Sequence, residues 1–270
     1  MAKSPLRWVG SKRSLLPDIV SRFPTSFNRY IEPFVGSGCV FFEVEPSSAI
    51  LSDFNPELIQ FYVELRDSPA QMISELKKFD VEGGDYLDVR SLKKESLDAP
   101  SRAARFLYLN RFSFNGLYRT NRQGEFNVPR GSRVGAFPTP QQLYDCSLAL
   151  QGTQIFNCDY LECLRSVAEG DLVYLDPPYR NDGRATHGEY GYGSFGSSDD
   201  VARLARELRR LSGIGAQVLL SFNEEPELEA ELTRWQVTNV SRRRSVSGSV
   251  AGRTVLLGEI LADNFSSQYA

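Results

Sequence analysis

Asp176-Pro177-Pro178-Tyr179 is the stretch of this sequence whose residue types ask most directly for a chemical reading. It follows the apolar run Leu172-Val173-Tyr174-Leu175, which reads as a buried strand. The aspartate therefore falls at a strand end, and in open α/β sheets ligands bind outside the carboxyl ends of the strands. A carboxylate beside a peptide carbonyl suits the activation of an amino group conjugated to an aromatic ring. The lone pair of such a nitrogen is delocalised, so it is a poor nucleophile. Asp176 and the carbonyl of Pro177 can each accept one of its N–H bonds, draw the nitrogen toward tetrahedral geometry and aim the lone pair at an electrophilic methyl. Pro178 has no N–H to compete for that space. Tyr179 offers a face for a base swung out of its stack. A rigid proline turn with a capping aspartate is the structural alternative.

A second candidate is Glu32-Pro33-Phe34-Val35-Gly36-Ser37-Gly38, entered from Tyr30-Ile31. Glycines after a strand let a ligand approach the backbone and open the N-terminus of the next helix. An ordinary strand-to-helix turn is the alternative. The stretch lacks the lysine-bearing pattern of a triphosphate loop, so that function is excluded. The run Ala49-Ile50-Leu51-Ser52 then ends in Asp53, where a carboxylate can accept both hydroxyls of a ribose. Capping of a helix that starts near Asn55-Pro56 is the alternative for Asp53.

These residues need a scaffold that brings strand ends together. Short apolar runs ending in glycine turns and followed by helical segments predict a parallel, doubly wound sheet. Further strands are expected at Gln154–Asn157, Asp171–Leu175 and Gln217–Ser221, with a closing pair at Trp235–Val240 and Thr254–Leu261 and a helix near Val201–Leu211. The middle differs in character. Pro56–Lys78 and Ser101–Asn110 carry helical spacing, and a β-hairpin is expected between Gly116 and Val128, turning at Asn121-Arg122-Gln123-Gly124. The expected architecture is α/β, a Rossmann-like sheet with helices on both faces. Residues 1–55 and 155–270 would build it, and 56–154 would form an inserted lobe of helices and hairpin.

The chain has 270 residues, 41% hydrophobic and 24% charged, which excludes wholesale disorder. A mean hydropathy of -0.32 and the absence of a long apolar run exclude a membrane span. No apolar stretch follows the first charge, so no secretory signal is expected. Cys39, Cys146, Cys158 and Cys163 form no C-x-x-C pair, and the one histidine is His187. That set is too small for a zinc site and reads as reduced and intracellular. His187 sits in the glycine- and tyrosine-rich stretch 182–196 and reads as a solvated loop residue, in a loop able to close over a flipped base. The net charge is -3, yet Ser101–Gly135 holds seven arginines (102, 105, 111, 119, 122, 130 and 133) against the single acid Glu125. Arg242-Arg243-Arg244, with Arg253 behind it, is a second island. Basic islands on an acidic chain suit a protein that turns one face to nucleic acid.

Taken together the motifs resemble the Dam-type family of DNA adenine-N6 methyltransferases over nearly the whole chain. Arg7-Trp8-Val9-Gly10-Ser11-Lys12 resembles the family's N-terminal cofactor motif, with Gly10-Ser11 standing where two glycines are usual. Glu32–Gly38 resembles its glycine motif, Ser52-Asp53-Phe54-Asn55 its ribose motif, and Asn157-Cys158-Asp159-Tyr160 the segment whose aspartate meets the cofactor's adenine. Asp176–Tyr179 is similar to the catalytic tetrapeptide. The most specific agreement runs through Asn110-Arg111-Phe112-Ser113-Phe114-Asn115-Gly116-Leu117-Tyr118-Arg119 and on to Gly124–Pro129.

The resemblance implies S-adenosylmethionine as methyl donor, S-adenosylhomocysteine as product, no metal, and double-stranded DNA as partner. It implies Trp8, Lys12, Pro33, Phe34, Gly36, Asp53, Asp159 and Asp176 as cofactor-binding residues, with Asp176, Pro177 and Tyr179 catalytic. Arg119 would reach a guanine, Arg7 the outer base pair, and Arg122 and Arg130 phosphate. Arg111, Asn115, Leu117 and Pro129 complete the expected DNA-binding set. A short adenine-containing palindrome is expected, with GATC the leading candidate, although Arg130–Ala136 departs from the form of GATC-reading members. A monomer in a bacterial or phage-infected cytoplasm is the expectation. Rivals are a cytosine-N4 methyltransferase, which the resemblance gives serine in place of Asp176; an RNA or protein amino-group methyltransferase; and a non-catalytic DNA-binding relative. The last would have no reason to keep Asp53, Asp159 and Asp176 together with Lys12.

Overall fold

Alternation along the strands decides the layers of this fold. The computed structural model describes residues 2–80, 82, 84–132, 136–178, 197–222, 226–243 and 256–265. Within them β1 (Tyr30–Glu32), β2 (Ala49–Asp53), β3 (Gln154–Asn157), β4 (Leu172–Leu175) and β5 (Gln217–Phe222) run parallel. β6 (Gln236–Arg243) and β7 (Leu256–Asp263) finish the sheet as antiparallel partners, in the order β3-β2-β1-β4-β5-β7-β6. Tyr30, Leu51, Leu172, Tyr174, Leu219 and Leu261 point to one core, whereas Ile31, Ile50, Val173, Leu175, Val218 and Leu220 point to another. Both faces are apolar because a central parallel strand is covered on both sides.

Helices α1 (Leu16–Val20), α2 (Cys39–Val44), α3 (Pro56–Asp67), α4 (Pro69–Leu76), α5 (Tyr86–Ser91), α6 (Ala99–Phe112) and α7 (Pro140–Ala149) supply the first core. Helices α8 (Tyr160–Leu164), α9 (Ser198–Gly213) and α10 (Pro226–Glu229) supply the second. The starts are chemically specified. Asn55 caps α3, Asp98 caps α6, and Thr139 and Ser197 close reciprocal capping boxes on α7 and α9. The stretch 56–78, expected to be helical throughout, divides at Ser68, because Pro69 disfavours helical geometry in the residue before it.

Helix α6 is buried without interruption from Ala103 to Phe112, so it is the axis of the segment between β2 and β3 and has no solvent stripe there. The expected hairpin turns where the sequence places it. Asn121 Oδ1 accepts the N–H groups of Gln123 (3.0 Å) and Glu125 (2.9 Å), and Gly124 adopts φ +80°. Its arms form two isolated antiparallel bridges, Thr120–Phe126 and Ser113–Arg130, and no continuous ladder. Burial of Tyr118, Phe126 and Val128 holds them instead. Tyr179, the stretch 182–196 with His187, Arg133, Arg244 and Arg253 lie outside the described residues.

Candidate active site

From β1 the chain winds outward through β2 to β3, then returns to the other side of β1 as β4. The carboxyl ends of β1 and β4 therefore border the switch point, the crevice in which open α/β sheets take ligands. The glycine turn after β1 stands on one side and Asp176 on the other. Gly36 (φ +45°) donates its N–H to Asp53 Oδ2 at 3.1 Å, and the Gly36 carbonyl accepts Tyr62 O–H at 2.9 Å. A Cβ at Gly36 would lie 2.9 Å from Trp8 Cδ1, so glycine is required for the indole to sit on the turn. Trp8 in turn stacks on Tyr118 at 6.2 Å. Asp53 Oδ1 accepts the N–H of Asn55 at 3.0 Å, and the cap of α3 is Asn55 itself. The capping role open to Asp53 in the sequence thus belongs to its neighbour.

Gly10 (φ +79°) takes the left-handed position of the turn closed by Ser11 N–H to Trp8 carbonyl (3.2 Å). One glycine therefore suffices here. Ser11, in place of the second, bonds Ser37 Oγ at 3.1 Å and ties this segment to the glycine turn.

Lys12 is held within the protein itself. It is 2% exposed, and its ammonium lies 2.5 Å from Asp176 Oδ1, 3.0 Å from Glu259 Oε1 and 3.2 Å from the Gly10 carbonyl. The resemblance implies a cofactor-binding role for it, and in the structure two protein carboxylates adjoin its ammonium. Breaking one member out of such a buried cluster costs about 3–5 kcal/mol. Glu259 was not anticipated. The signal was present, since it is the only charge in the apolar run Val255–Ala262. β7 runs antiparallel, which brings its early residues level with the carboxyl end of β5.

Glu32, the first residue of the glycine motif, has its side chain buried at the same edge. Burial pushes its carboxyl up to about 8, with nearby Asp176 adding to the rise, while bonds from Tyr30 O–H (2.9 Å) and the Phe41 N–H oppose it. Burial likewise raises Asp53 to about 6 against bonds from Asn55, Gly36 and Phe54. A folded pKa above the unfolded one means that the folded state holds the proton longer. The stabilisation is complete below the unfolded pKa near 4.5 and is lost as pH rises through about 8. Between those limits Glu32 alone gives a loss of about 1.4 kcal/mol per pH unit. Urea unfolding at pH 5.5 and 8 should therefore show Glu32→Gln losing roughly 3 kcal/mol less than the parent. Equal losses in both would show that Glu32 ionises normally.

The remaining strand-end residues gather at this edge. Asp159, after β3, caps α8 through Leu161 N–H (2.9 Å) and lies 3.4 Å from Arg203. Its side chain remains 42% exposed, so those contacts leave it accessible. Phe34 packs on Tyr160 with ring centres 5.1 Å apart. Pro33 and Pro177 are buried.

The segment expected to meet DNA is built around Arg7. Asn110 bonds both the N–H (2.8 Å) and the carbonyl (2.6 Å) of Arg7, and Gly116 (φ +67°) lies so close that a Cβ there would stand 2.4 Å from Arg7 Cβ. The Arg7 guanidinium donates to the Arg111 carbonyl at 3.1 Å. Asn115 adopts φ +56°, Phe114 is 39% exposed, and Leu117 is half-buried. Arg119, Arg122, Pro129 and Arg130 are exposed, with Arg119 Nε on Asn127 Oδ1 (2.9 Å) and Arg130 on the Glu82 carbonyl (2.7 Å). Arg111, also among the residues expected to meet DNA, turns to the protein. It is buried, spends its guanidinium on the carbonyls of Pro5 and Ala136, and burial lowers its pKa to about 10. Arg105 is also buried, on the carbonyls of Val89 and Arg90. The basic island is thus smaller at the surface than in the sequence.

A family model described as D12 class N6 adenine-specific DNA methyltransferase matches residues 8–246. Three relatives resemble the chain along most of both lengths. Type II methyltransferase M1.LlaDCHI of Lactococcus lactis subsp. cremoris is 32% identical, covering 97% of this chain and 95% of its own. A DNA adenine methylase of Vibrio cholerae serotype O1 is 34% identical, covering 95% and 94%. Type II methyltransferase M.MjaIII of Methanocaldococcus jannaschii is 32% identical, covering 96% and 98%.

Proposed function

The chain belongs to the D12 class of N6 adenine-specific DNA methyltransferases, and on that premise we propose that it methylates adenine N6 in double-stranded DNA at a short site, with S-adenosylmethionine as donor. The observation that carries the residue assignment is the place of Asp176, at the end of β4, across the switch point from the glycine turn and held by Lys12. Three carboxyl groups, Glu32, Asp53 and Asp176, lie near one another at that edge, an acceptor set suited to a ligand with a ribose diol and a positive centre. Bound S-adenosylmethionine supplies a methyl group on a sulfonium, whose departing thioether takes the electron pair of the broken bond.

The protein's part is alignment. Asp53 accepts from the ribose hydroxyls, Asp159 lies at the adenine end, and Trp8, Pro33, Phe34 and Gly36 shape the cleft between. Asp176 and the Pro177 carbonyl accept the two N–H bonds of the target amino group, and Tyr179 stacks on the flipped base. The N6 lone pair forms the new N–C bond, and the amino group then loses one proton to water. Residues 1–55 and 155–270 form the catalytic part in this reading, and 56–154 the recognition lobe. The adenine-specific family excludes the cytosine-N4 and protein alternatives. No helix among the described residues is long and apolar enough to cross a membrane.

Site reading falls to the exposed arginines. Arg119 is proposed to donate two bonds to guanine O6 and N7, a contact worth about 1–3 kcal/mol of discrimination. Arg7 adds the outer pair, Asn115, Leu117 and Pro129 line the groove, and Arg122 and Arg130 hold phosphate. GATC is the proposed site. Sequencing with modification detection on DNA from a host expressing the chain returns base and site together; methylation at cytosine, or none, would overturn the assignment. Arg119→Ala should reduce the preference for cognate over singly altered duplexes, whereas Arg122→Ala should weaken all duplexes alike and flatten the salt dependence. Methylation rates on a panel of such duplexes separate the two, and uniform slowing by Arg119→Ala would make Arg119 a phosphate anchor.

A further inference from the structure

Helix α3 reaches the cofactor edge at two points. Asn55, its cap, donates its backbone N–H to Asp53 Oδ1 at 3.0 Å. Tyr62, seven residues later on the same helix, donates its hydroxyl to the Gly36 carbonyl at 2.9 Å. That spacing is close to two helical turns, so both positions lie on one side of α3. Gly36 in turn donates its N–H to Asp53 Oδ2 at 3.1 Å, which closes a circuit from α3 through Asp53 and Gly36 back to α3. A backbone donor on each oxygen fixes the plane in which Asp53 presents its carboxylate.

The turn has freedom of its own to lose. The Val35 carbonyl accepts the Gly38 N–H at 2.6 Å, with Gly36 at φ +45° and Gly38 at φ +63°. Glycine takes either sign of φ readily, so the central peptide of this turn, between Gly36 and Ser37, has more than one orientation open to it. Its carbonyl is the one that Tyr62 holds. The hydroxyl fits the turn closely, since a Cβ at Gly38 would stand 3.0 Å from it. The tyrosine is fully buried, with ring centres 5.4 Å from Phe61 and 6.4 Å from Phe42, so its oxygen has little room to move. Burial, with Glu32 adding to it, pushes the Tyr62 pKa well up and keeps the hydroxyl a donor.

We propose that Tyr62 is a positioning residue for cofactor binding, whose hydroxyl locks the Gly36–Ser37 peptide so that Gly36 holds the Asp53 carboxylate ready for the ligand. This rests on the reading of Asp53 given above. A turn ordered in advance loses less freedom when the ligand arrives, and affinity rises accordingly. The competing role is that of a core ring whose hydroxyl only satisfies a buried carbonyl.

Tyr62→Phe removes one oxygen and keeps the ring against Phe42 and Phe61. Calorimetry on the folded variant should show S-adenosylmethionine and S-adenosylhomocysteine each weakened about five- to tenfold, the worth of one hydrogen bond. Duplex affinity should stay within about twofold and the single-turnover rate at saturating cofactor within about threefold, so the loss falls on KM for the cofactor. 4-Fluorophenylalanine placed at position 62 by codon suppression fills the space of the hydroxyl without donating. It should match Tyr62→Phe, and it decides the matter if Tyr62→Phe fails to fold. 4-Aminophenylalanine at the same position restores an N–H donor and should return affinity to within about twofold of the parent. A core ring alone predicts a less stable protein with parent-like cofactor affinity, and that result overturns the proposal, as does equal binding by the fluoro and amino forms. Action through Asp53 requires Tyr62→Phe to weaken Asp53→Ala by less than about threefold further, and a larger loss overturns it. Parent-like cofactor binding by Asp53→Ala would sink the underlying reading. Weak binding by Asp53→Ala beside parent-like binding by Tyr62→Phe would sink this proposal alone.

Discussion

Asp176→Ala should lower single-turnover methyl transfer about 100-fold or more while duplex binding survives, because the lost hydrogen bond is strongest in the transition state. The expectation has a structural control. Alanine also deprives Lys12 of its 2.5 Å partner and leaves that ammonium to Glu259 and the Gly10 carbonyl. Asp176→Asn retains the shape but presents an amide that cannot accept through both of its polar atoms. If acceptance of the amino N–H is the role, both variants should be crippled and both should still bind duplex. Quench measurements on labelled methyl transfer, beside duplex binding by anisotropy, provide the comparison. A rate within about threefold of the parent in either variant would remove Asp176 from the chemistry.

Asp53→Ala should weaken S-adenosylmethionine by about one to two decades, the worth of roughly 1.5–3 kcal/mol in charge-assisted hydrogen bonds. The Asp53 carboxylate also receives the N–H groups of Gly36 and Asn55, so the substitution loosens the glycine turn as well. Asp53→Asn keeps the shape and one of the two acceptors, loses the charge, and so disturbs the glycine turn less than alanine does. Because burial raises Asp53 to about 6, protonation should erode cofactor affinity in the parent below that pH. The carboxylate form, dominant above it, is the form that accepts from hydroxyls. Asp53→Asn should bind more weakly and without that dependence. Calorimetric titrations of folded protein at pH 5 and pH 8 test this, and parent-like binding at both would leave Asp53 a purely structural acceptor.

Much of the scaffold was legible because its strands are short apolar runs bounded by turn residues. Ala49–Ser52 before Asp53 and Leu172–Leu175 before Asp176 are strands with those ends. Two-sided burial makes such runs continuous rather than alternating, which is what separates them from their surroundings. The hairpin turn was legible because asparagine and glycine at 121 and 124 have few other uses in that spacing. Side-chain partners were not legible. Local sequence cannot say that Lys12 will meet a residue of β7, since the meeting depends on an antiparallel strand being laid beside β5. Arginines in α6 looked like a basic surface, and only the packing of neighbouring helices around α6 turns Arg105 and Arg111 inward. Long side chains of this kind bury their stems and satisfy their heads on carbonyls, so charge counted along a sequence overstates charge at a surface.

The position of β7 has a consequence for how the enzyme comes into being. Its strand is inserted between β5 and β6, and its glutamate meets a lysine near the other end of the sequence. During synthesis the five parallel strands are complete once residue 222 has emerged, but the edge of β5 then has no neighbour. β7 closes it, pairing Phe222 with Ile260, whereas the Lys12–Glu259 contact spans almost the whole chain, the kind of closure that makes folding slow. Lys12 and Asp176 would meet earlier, without the second carboxylate. A ribosome-bound chain that has not yet delivered Glu259 therefore leaves both the β5 edge and this partner of Lys12 wanting, and β7 supplies the two together.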